Sequence, residues 1–275
     1  MKKRVLIRGP GLSQSGYGEQ TRFAIRSLRS RPDLFDVYFL NTNWGGTNYI
    51  VDDTEEKRWI FSRFRETMQY VQKNTNPFDV SVQVTVPNEF EKLAPINIGY
   101  TAGIETTKVA PVWLQKSNEN TNKLIVVSNH SKQVFENTQY LAKNEATGEE
   151  LNYKIQVPVE VVNFAAKDIT PQPIELNLKH DFNYLVVSQW GPRKNIENTI
   201  RWFVEENIDQ DVGLVLKINK MKNCHIDAEW CQRVLSDMLS KYKDRQCSVT
   251  MVHGYMTESE MRGLVTHPKI KAMIN

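Results

Sequence analysis

The 275-residue chain predicts an α/β protein built on two successive parallel sheets, the second incomplete. Three observations carry this. Short apolar, strand-like runs alternate with helix-like runs along most of the length. The alternation pauses once, over a polar, proline-bearing stretch, and then restarts. The chain is also long enough for two domains with separate cores.

In the first half, strands are expected at Arg4–Arg8, Asp36–Leu40, Val80–Val84, Ile96–Tyr100, Lys123–Val127 and Val159–Asn163. Helices are expected between them at Glu19–Leu28, Glu55–Lys73, Ala110–Glu119 and Ser131–Ala142. In the first of these, Phe23, Ala24, Ile25 and Leu28 form an apolar face, which directs Arg22, Arg26 and Arg29 to water. The stretch Lys167-Asp-Ile-Thr-Pro-Gln-Pro-Ile-Glu-Leu-Asn has no periodicity and reads as a linker. The expected division is therefore a first domain over 1–166, a linker over 167–181 and a second domain over 182–275.

After the linker come strand Tyr184–Val187, helix Ile196–Val204, strand Gly213–Ile218, helix Ala228–Leu239, strand Ser248–Val252 and helix Glu258–Leu264. Thr257 and Glu260 have the spacing of a capping box at the start of that last helix. A final strand, Ile270–Ile274, is followed by one residue.

Composition narrows the function. With 40% hydrophobic and 24% charged residues, the chain has the make-up of a soluble globular protein. A net charge of +3 gives no support for nucleic-acid binding. Lys2, Lys3 and Arg4 precede an apolar run too short for a signal peptide, and no stretch is long enough to span a bilayer. The three cysteines, Cys224, Cys231 and Cys247, lack Cys-x-x-Cys spacing, which fits a reducing cytoplasm and solvent-shielded structural thiols. Cys224, His225 and Cys231 have no fourth ligand at a usual spacing, so no metal site is expected.

The chemistry begins at the amino terminus. Val5-Leu6-Ile7 runs into Gly9-Pro-Gly-Leu-Ser-Gln-Ser-Gly-Tyr-Gly18 and then into a helix. A strand that turns through glycines into a helix gathers backbone N–H groups at the positive end of the helix dipole, which favours an anion such as phosphate. The same glycines also serve a tight turn that binds nothing. The dinucleotide fingerprint fails because its third glycine is replaced by Gln14. The Walker spacing is met by Gly11 and Gly16, but its lysine is replaced by Tyr17, which argues against nucleoside triphosphate hydrolysis.

A second candidate lies after the first strand of the second half, in Ser188-Gln-Trp-Gly-Pro-Arg-Lys-Asn195. Arg193 and Lys194 stand at a helix entrance, where cations oppose the dipole by a few tenths of a kcal/mol; a bound anion would explain them. The carboxyl end of a parallel strand is also where open α/β sheets bind ligands.

Four segments make the chain resemble a group 1 glycosyltransferase of the GT-B type. They are the loop ending Ser15-Gly-Tyr-Gly18; Ile98-Gly-Tyr-Thr-Ala-Gly-Ile-Glu105 with Pro111 and Trp113; Ile125-Val-Val-Ser-Asn-His-Ser-Lys132; and Tyr184-Leu-Val-Val-Ser188 with Arg193-Lys-Asn195. Val252-His-Gly-Tyr-Met-Thr-Glu-Ser-Glu-Met261 resembles the family's later strand and helix.

The resemblance implies two Rossmann-like domains facing each other across a cleft. It also implies an enzyme that moves a hexose from a nucleotide diphosphate sugar to a hydroxyl of a glycan, lipid or protein. The basic balance and the Trp/Lys-containing first domain permit, besides a cytoplasmic place, loose peripheral association with a membrane surface. By the resemblance, transfer would proceed with retention and without metal or other cofactor, in a polysaccharide-type biosynthesis. Gly16 and Gly18 would approach the donor diphosphate, as would Lys194 and Arg193, with Lys217 as a further cation. Where the family has a basic residue near the start of the second turn, this chain has Ser188 and Gln189.

Glu105 follows a strand where the family often has a polar or acidic group, and a carboxylate there could take an acceptor proton. Its alternative role, with Thr106 and Thr107, is to cap the helix near Ala110. Ser128 to Ser131 cap the next helix, and His130 is a candidate for the acceptor side. Tyr17 and Trp190 are candidates for acceptor or base contact, and the loop Asn41–Asp53, with Trp44, belongs to the acceptor side.

The family's glycine-rich motif with two glutamates should follow Ile270–Ile274, so the chain reads as truncated or split, or as a short relative without transfer activity. Two rivals stay open: a non-catalytic nucleotide- or glycan-binding remnant, and a nicotinamide-dependent sugar-nucleotide enzyme. Gln14 and the lack of a Tyr-x-x-x-Lys pair count against the second.

Overall fold

The computed structural model describes residues 2–75, 77–143, 148 and 150–274. The chain divides into two compact units, Met1–Ala166 and Lys167–Asn275.

The amino-terminal unit is built on β1 (Lys3–Gly9), β2 (Phe35–Asn41), β3 (Val80–Val84), β4 (Ile96–Tyr100), β5 (Lys123–Val126) and β8 (Val159–Val161), in the order β2-β1-β3-β4-β5-β8. Every adjacent pair is parallel. Val5, Leu6 and Ile7 are all buried, as a parallel strand covered on both faces requires. The helices are α1 (Gly16–Arg29), α2 (Glu55–Lys73), α3 (Pro111–Asn120) and α4 (Asn129–Asn137).

Local chemistry sets these helix starts. The Ser15 side chain caps α1, Thr54 caps α2 and Ser128 caps α4, each accepting a backbone N–H of the first turn. α3 has no side-chain cap and begins on Pro111, whose missing N–H costs nothing at that position. Thr67 of α2 accepts the Phe39 N–H at 3.0 Å, fastening the helix to β2.

The structure departs from the expected helix Ser131–Ala142. α4 ends at Asn137, and β6 (Gln139–Lys143) pairs antiparallel with β7 (Glu150–Lys154). Cross-strand pairing and the Tyr140 hydroxyl, which donates to the Val109 carbonyl at 2.6 Å, outweigh the helical periodicity. Arg22 also departs from expectation. It is 8% exposed rather than solvated, because loop carbonyls satisfy its guanidinium.

The carboxy-terminal unit holds β9 (Phe182–Gln189), β10 (Val212–Asn219), β11 (Ser248–Val252) and β12 (Ile270–Met273), all parallel in the order β11-β10-β9-β12. Between them lie α5 (Ile196–Glu206), α6 (His225–Leu239) and α7 (Glu258–Val265). The capping box of Thr257 and Glu260 forms as the sequence predicts. Residues 167–181 carry no helix or strand. They lie against this unit, with Ile174, Leu176 and Leu178 in its core and Gln172 N–H bonded to the Ser259 carbonyl.

Both sheets reverse strand order beside their first strand, at β1/β3 and at β9/β12. Such reversals open a crevice outside the carboxyl ends of the strands, the usual ligand position in open α/β sheets. Among the described residues no helix is long and apolar enough to cross a membrane.

Candidate functional site

In the amino-terminal unit the glycine loop leaves β1 and enters α1 at the sheet's reversal point. The Ser15 side chain accepts the Gly18 N–H at 3.0 Å. The N–H groups of Gly16 and Tyr17, the first two of the helix, have no intrahelical acceptor. Gly16 is exposed, and a β-carbon there would meet open space. At Gly18 it would lie 2.2 Å from the Ser13 carbonyl oxygen. The two glycines thus differ in kind: Gly18 is required by packing, while Gly16 leaves backbone open to a ligand.

The loop is held from three sides. Arg22 donates to the carbonyls of Gly11 at 2.9 Å and Ser13 at 3.0 Å, and pairs with Glu19 at 2.8 Å. The 41–53 loop folds onto it through Gln14 N–H to the Asn48 carbonyl and Ile50 N–H to the Leu12 carbonyl. Trp44 stacks obliquely on Tyr17 with ring centroids 4.4 Å apart. The Tyr17 hydroxyl meets Thr101 Oγ1 at 2.9 Å and accepts the Ala102 N–H at 3.1 Å. Burial pushes the Tyr17 hydroxyl above its ordinary pKa, partly offset by these two bonds. Tyr17 is therefore a strut between α1 and the end of β4.

Glu105 lies exposed in the loop after β4, and Ile104 beside it donates its N–H to Ser131 Oγ at 3.1 Å. Thr106 bonds the Lys108 carbonyl, and Ala110, the residue at the N-cap of α3, gives that helix no side-chain cap. His130 is exposed in the first turn of α4, near the end of β5. The structure thus brings the glycine loop, Tyr17 and the segment after β4 together, with Glu105 in that segment.

In the carboxy-terminal unit, β9 ends at Gln189, and Pro192–Lys194 form a single 3-10 turn before α5. Arg193 and Lys194 are exposed on that turn. Asn195, left-handed with φ 52°, joins turn and helix but gives α5 no side-chain cap. The helix thus presents uncapped N–H groups behind two cations, an arrangement suited to an anion. Among the described residues no carboxylate pairs with Lys194.

Two expected contacts take other forms. Trp190 is 6% exposed, packs edge-on against Trp230 at 5.5 Å and belongs to the core of this unit, so its ring is not offered for stacking on a ligand. Lys217 is half-buried and donates to the Gly254 carbonyl; burial lowers its pKa. Lys217 fixes the loop after β11, whose Gly254 has φ 102°.

Beside them is a cluster without a spacing signal in the sequence. Asp227 accepts N–H bonds from Lys220, Met221 and Lys222 at 2.8, 2.7 and 2.8 Å. His253 Nε2 meets Asp227 Oδ1 at 2.8 Å, and Cys231 Sγ lies 3.7 Å from the same oxygen. Burial pushes the Asp227 carboxyl upward, but the backbone donors and His253 outweigh it and hold the carboxyl well below the usual range. Burial and the Asp227 charge push the Cys231 thiol up to about 11. Cys224 is exposed, contrary to expectation, because it precedes α6 rather than lying in its packed face. An acidic residue in the first turn of α6 was the one visible hint of Asp227.

No protein-family model and no curated protein matches the chain. Solved structures resemble it at low identity. A mutant of the Thermobaculum terrenum O-GlcNAc transferase is 10% identical, with TM-score 0.47, over 99% of this chain and 48% of that one. The lipopolysaccharide outer core galactosyltransferase WaaB, in its apo form, is 12% identical, with TM-score 0.46, over 99% of this chain and 73% of that one. HepE of Anabaena, in complex with UDP and glucose, is 11% identical, with TM-score 0.48, over 96% of this chain and 71% of that one. The chain therefore spans about half the length of the first of these proteins.

Proposed function

We propose that the chain binds a nucleotide diphosphate sugar and serves glycosyl transfer to a hydroxyl acceptor. The observation that carries this reading is the turn Pro192–Lys194, which sets Arg193 and Lys194 before the uncapped amino terminus of α5 at the end of β9. Two cations and a row of N–H groups would oppose the charge that develops on a departing diphosphate, electrostatically and without a metal at that position. Exposed Gly16, with the first N–H groups of α1, which have no intrahelical acceptor, is the corresponding anion-binding feature of the amino-terminal unit. Glu105 is the group proposed to accept the acceptor's proton, and His130 the one proposed to line the acceptor side.

Calorimetric titration with a panel of nucleoside diphosphates tests the reading. Lys194→Ala should weaken the bound member severalfold or more, with the far-ultraviolet spectrum unchanged. Equal affinity in the variant would remove Lys194 from the site. A chain that binds nucleoside diphosphate yet releases none from any sugar donor, with or without acceptor, would favour a binding protein over a transferase.

A further inference from the structure

We infer that Asp227, Cys231 and His253 form a binding site for a zinc-like divalent cation in the carboxy-terminal unit, separate from the diphosphate turn. The three side chains offer a carboxylate, a thiol and an imidazole, and their ligand atoms lie within 4.8 Å of one another. Asp227 and Cys231 share one face of α6 at a four-residue spacing, and the loop after β11 delivers His253 to the same point. The side chains of His253 and Asp227 are 8% and 7% exposed, and Cys231 is 0% exposed.

The chemistry of the set selects the ion. Thiolate with imidazole suits zinc and its softer neighbours, whereas calcium and magnesium take oxygen ligands. Bonds of about 2.0–2.3 Å in a tetrahedron place ligand atoms roughly 3.3–3.8 Å apart. The 3.7 Å between sulfur and Oδ1 already fits, and the 2.8 Å between Nε2 and Oδ1 must open by about half an ångström. The hydrogen bond between Nε2 and Oδ1 spans the place the ion would take.

The surroundings are those of a supported carboxylate ligand. Lys220 N–H holds Oδ1, and the N–H groups of Met221 and Lys222 hold Oδ2, fixing the carboxylate while Oδ1 faces the histidine and the thiol. Binding releases the Cys231 proton to solvent, and His253 coordinates through Nε2 with its ring N–H at Nδ1. The ion then gains thiolate, imidazole and carboxylate, with water completing a fourth position. Such an ion would lock the loop 220–224 to the loop that follows β11.

Cobalt(II) titration of the full chain, reduced and first stripped with chelator, tests the site. The expected result is one equivalent bound, with a thiolate-to-cobalt charge-transfer band in the near ultraviolet that zinc displaces. Cys231→Ser should abolish the band, His253→Ala should weaken binding by at least about tenfold, and exposed Cys224→Ser should change neither. Zinc should also raise the melting temperature of the stripped wild type. Absence of the band in the wild type overturns the proposal, as does a band lost in Cys224→Ser. If Cys231→Ser fails to fold, wild type and Cys224→Ser still decide between these outcomes.

Discussion

Gly18 sits against Ser13 so closely that a β-carbon on Gly18 would come within 2.2 Å of the Ser13 carbonyl oxygen and 2.7 Å of its hydroxyl. Two residues earlier, a β-carbon on Gly16 would meet nothing within 4 Å. The same loop therefore contains one glycine demanded by the fold and one whose openness suits a ligand.

A pair of alanine substitutions separates these roles. Gly18→Ala should cost about 1–3 kcal/mol, because the obstructing atom is backbone and the loop must shift. Gly16→Ala should leave stability unchanged or raise it by up to about 1 kcal/mol, since alanine restricts the unfolded chain. Urea denaturation measures both. Equal losses in the two variants would contradict the distinction.

Arg22 carries the next expectation. Its guanidinium bridges the Gly11 and Ser13 carbonyls from inside the unit and is 8% exposed. Arg22→Met keeps the side-chain length but leaves those acceptors without their charged donor. A loss of about 2–4 kcal/mol should appear in the urea midpoint. A change within about 0.5 kcal/mol would mean the loop holds its shape without Arg22.

These contacts mark the limit of what the sequence reveals. Strands such as Val80–Val84, Ile96–Tyr100 and Ser248–Val252 follow directly from short runs rich in valine, isoleucine and other strand formers. Caps at Ser128 and Thr257 are equally visible, since a short-range pattern creates them. The burial of Arg22 is not visible: helical periodicity assigns an arginine to solvent, and only the loop's unsatisfied carbonyls draw it inward. The β6–β7 hairpin is hidden for a related reason, since its pairing partner follows an intervening segment. Asp227, Cys231 and His253 lack a recognisable spacing because the sheet, not the local chain, brings His253 to α6.

Asp227 should be costly to remove. Asp227→Ala strands the N–H groups of Lys220, Met221 and Lys222 and takes a partner from His253. A loss of about 3–5 kcal/mol is expected by urea denaturation with chelator present. Hydrogen exchange at those three amides should accelerate by more than at β9, whose bonds the substitution does not touch. Unaltered protection at the three amides would show that the loop is held by something other than Asp227.

The pH dependence of stability follows from the same carboxylate. Its pKa in the folded chain is depressed, so the unfolded state binds the proton more readily as pH falls. The contribution of ionised Asp227 is complete above the unfolded value near ~4 and is lost as pH drops below it toward the folded value. Asp227→Asn preserves the shape of the side chain but not this charge. With chelator present, the stability gap between wild type and Asp227→Asn should shrink as pH falls from about 5 towards about 3. Other carboxylates titrate in both proteins and cancel from the difference. A gap that stays constant down to the acid limit, or widens there, would show that the Asp227 pKa is not depressed by folding.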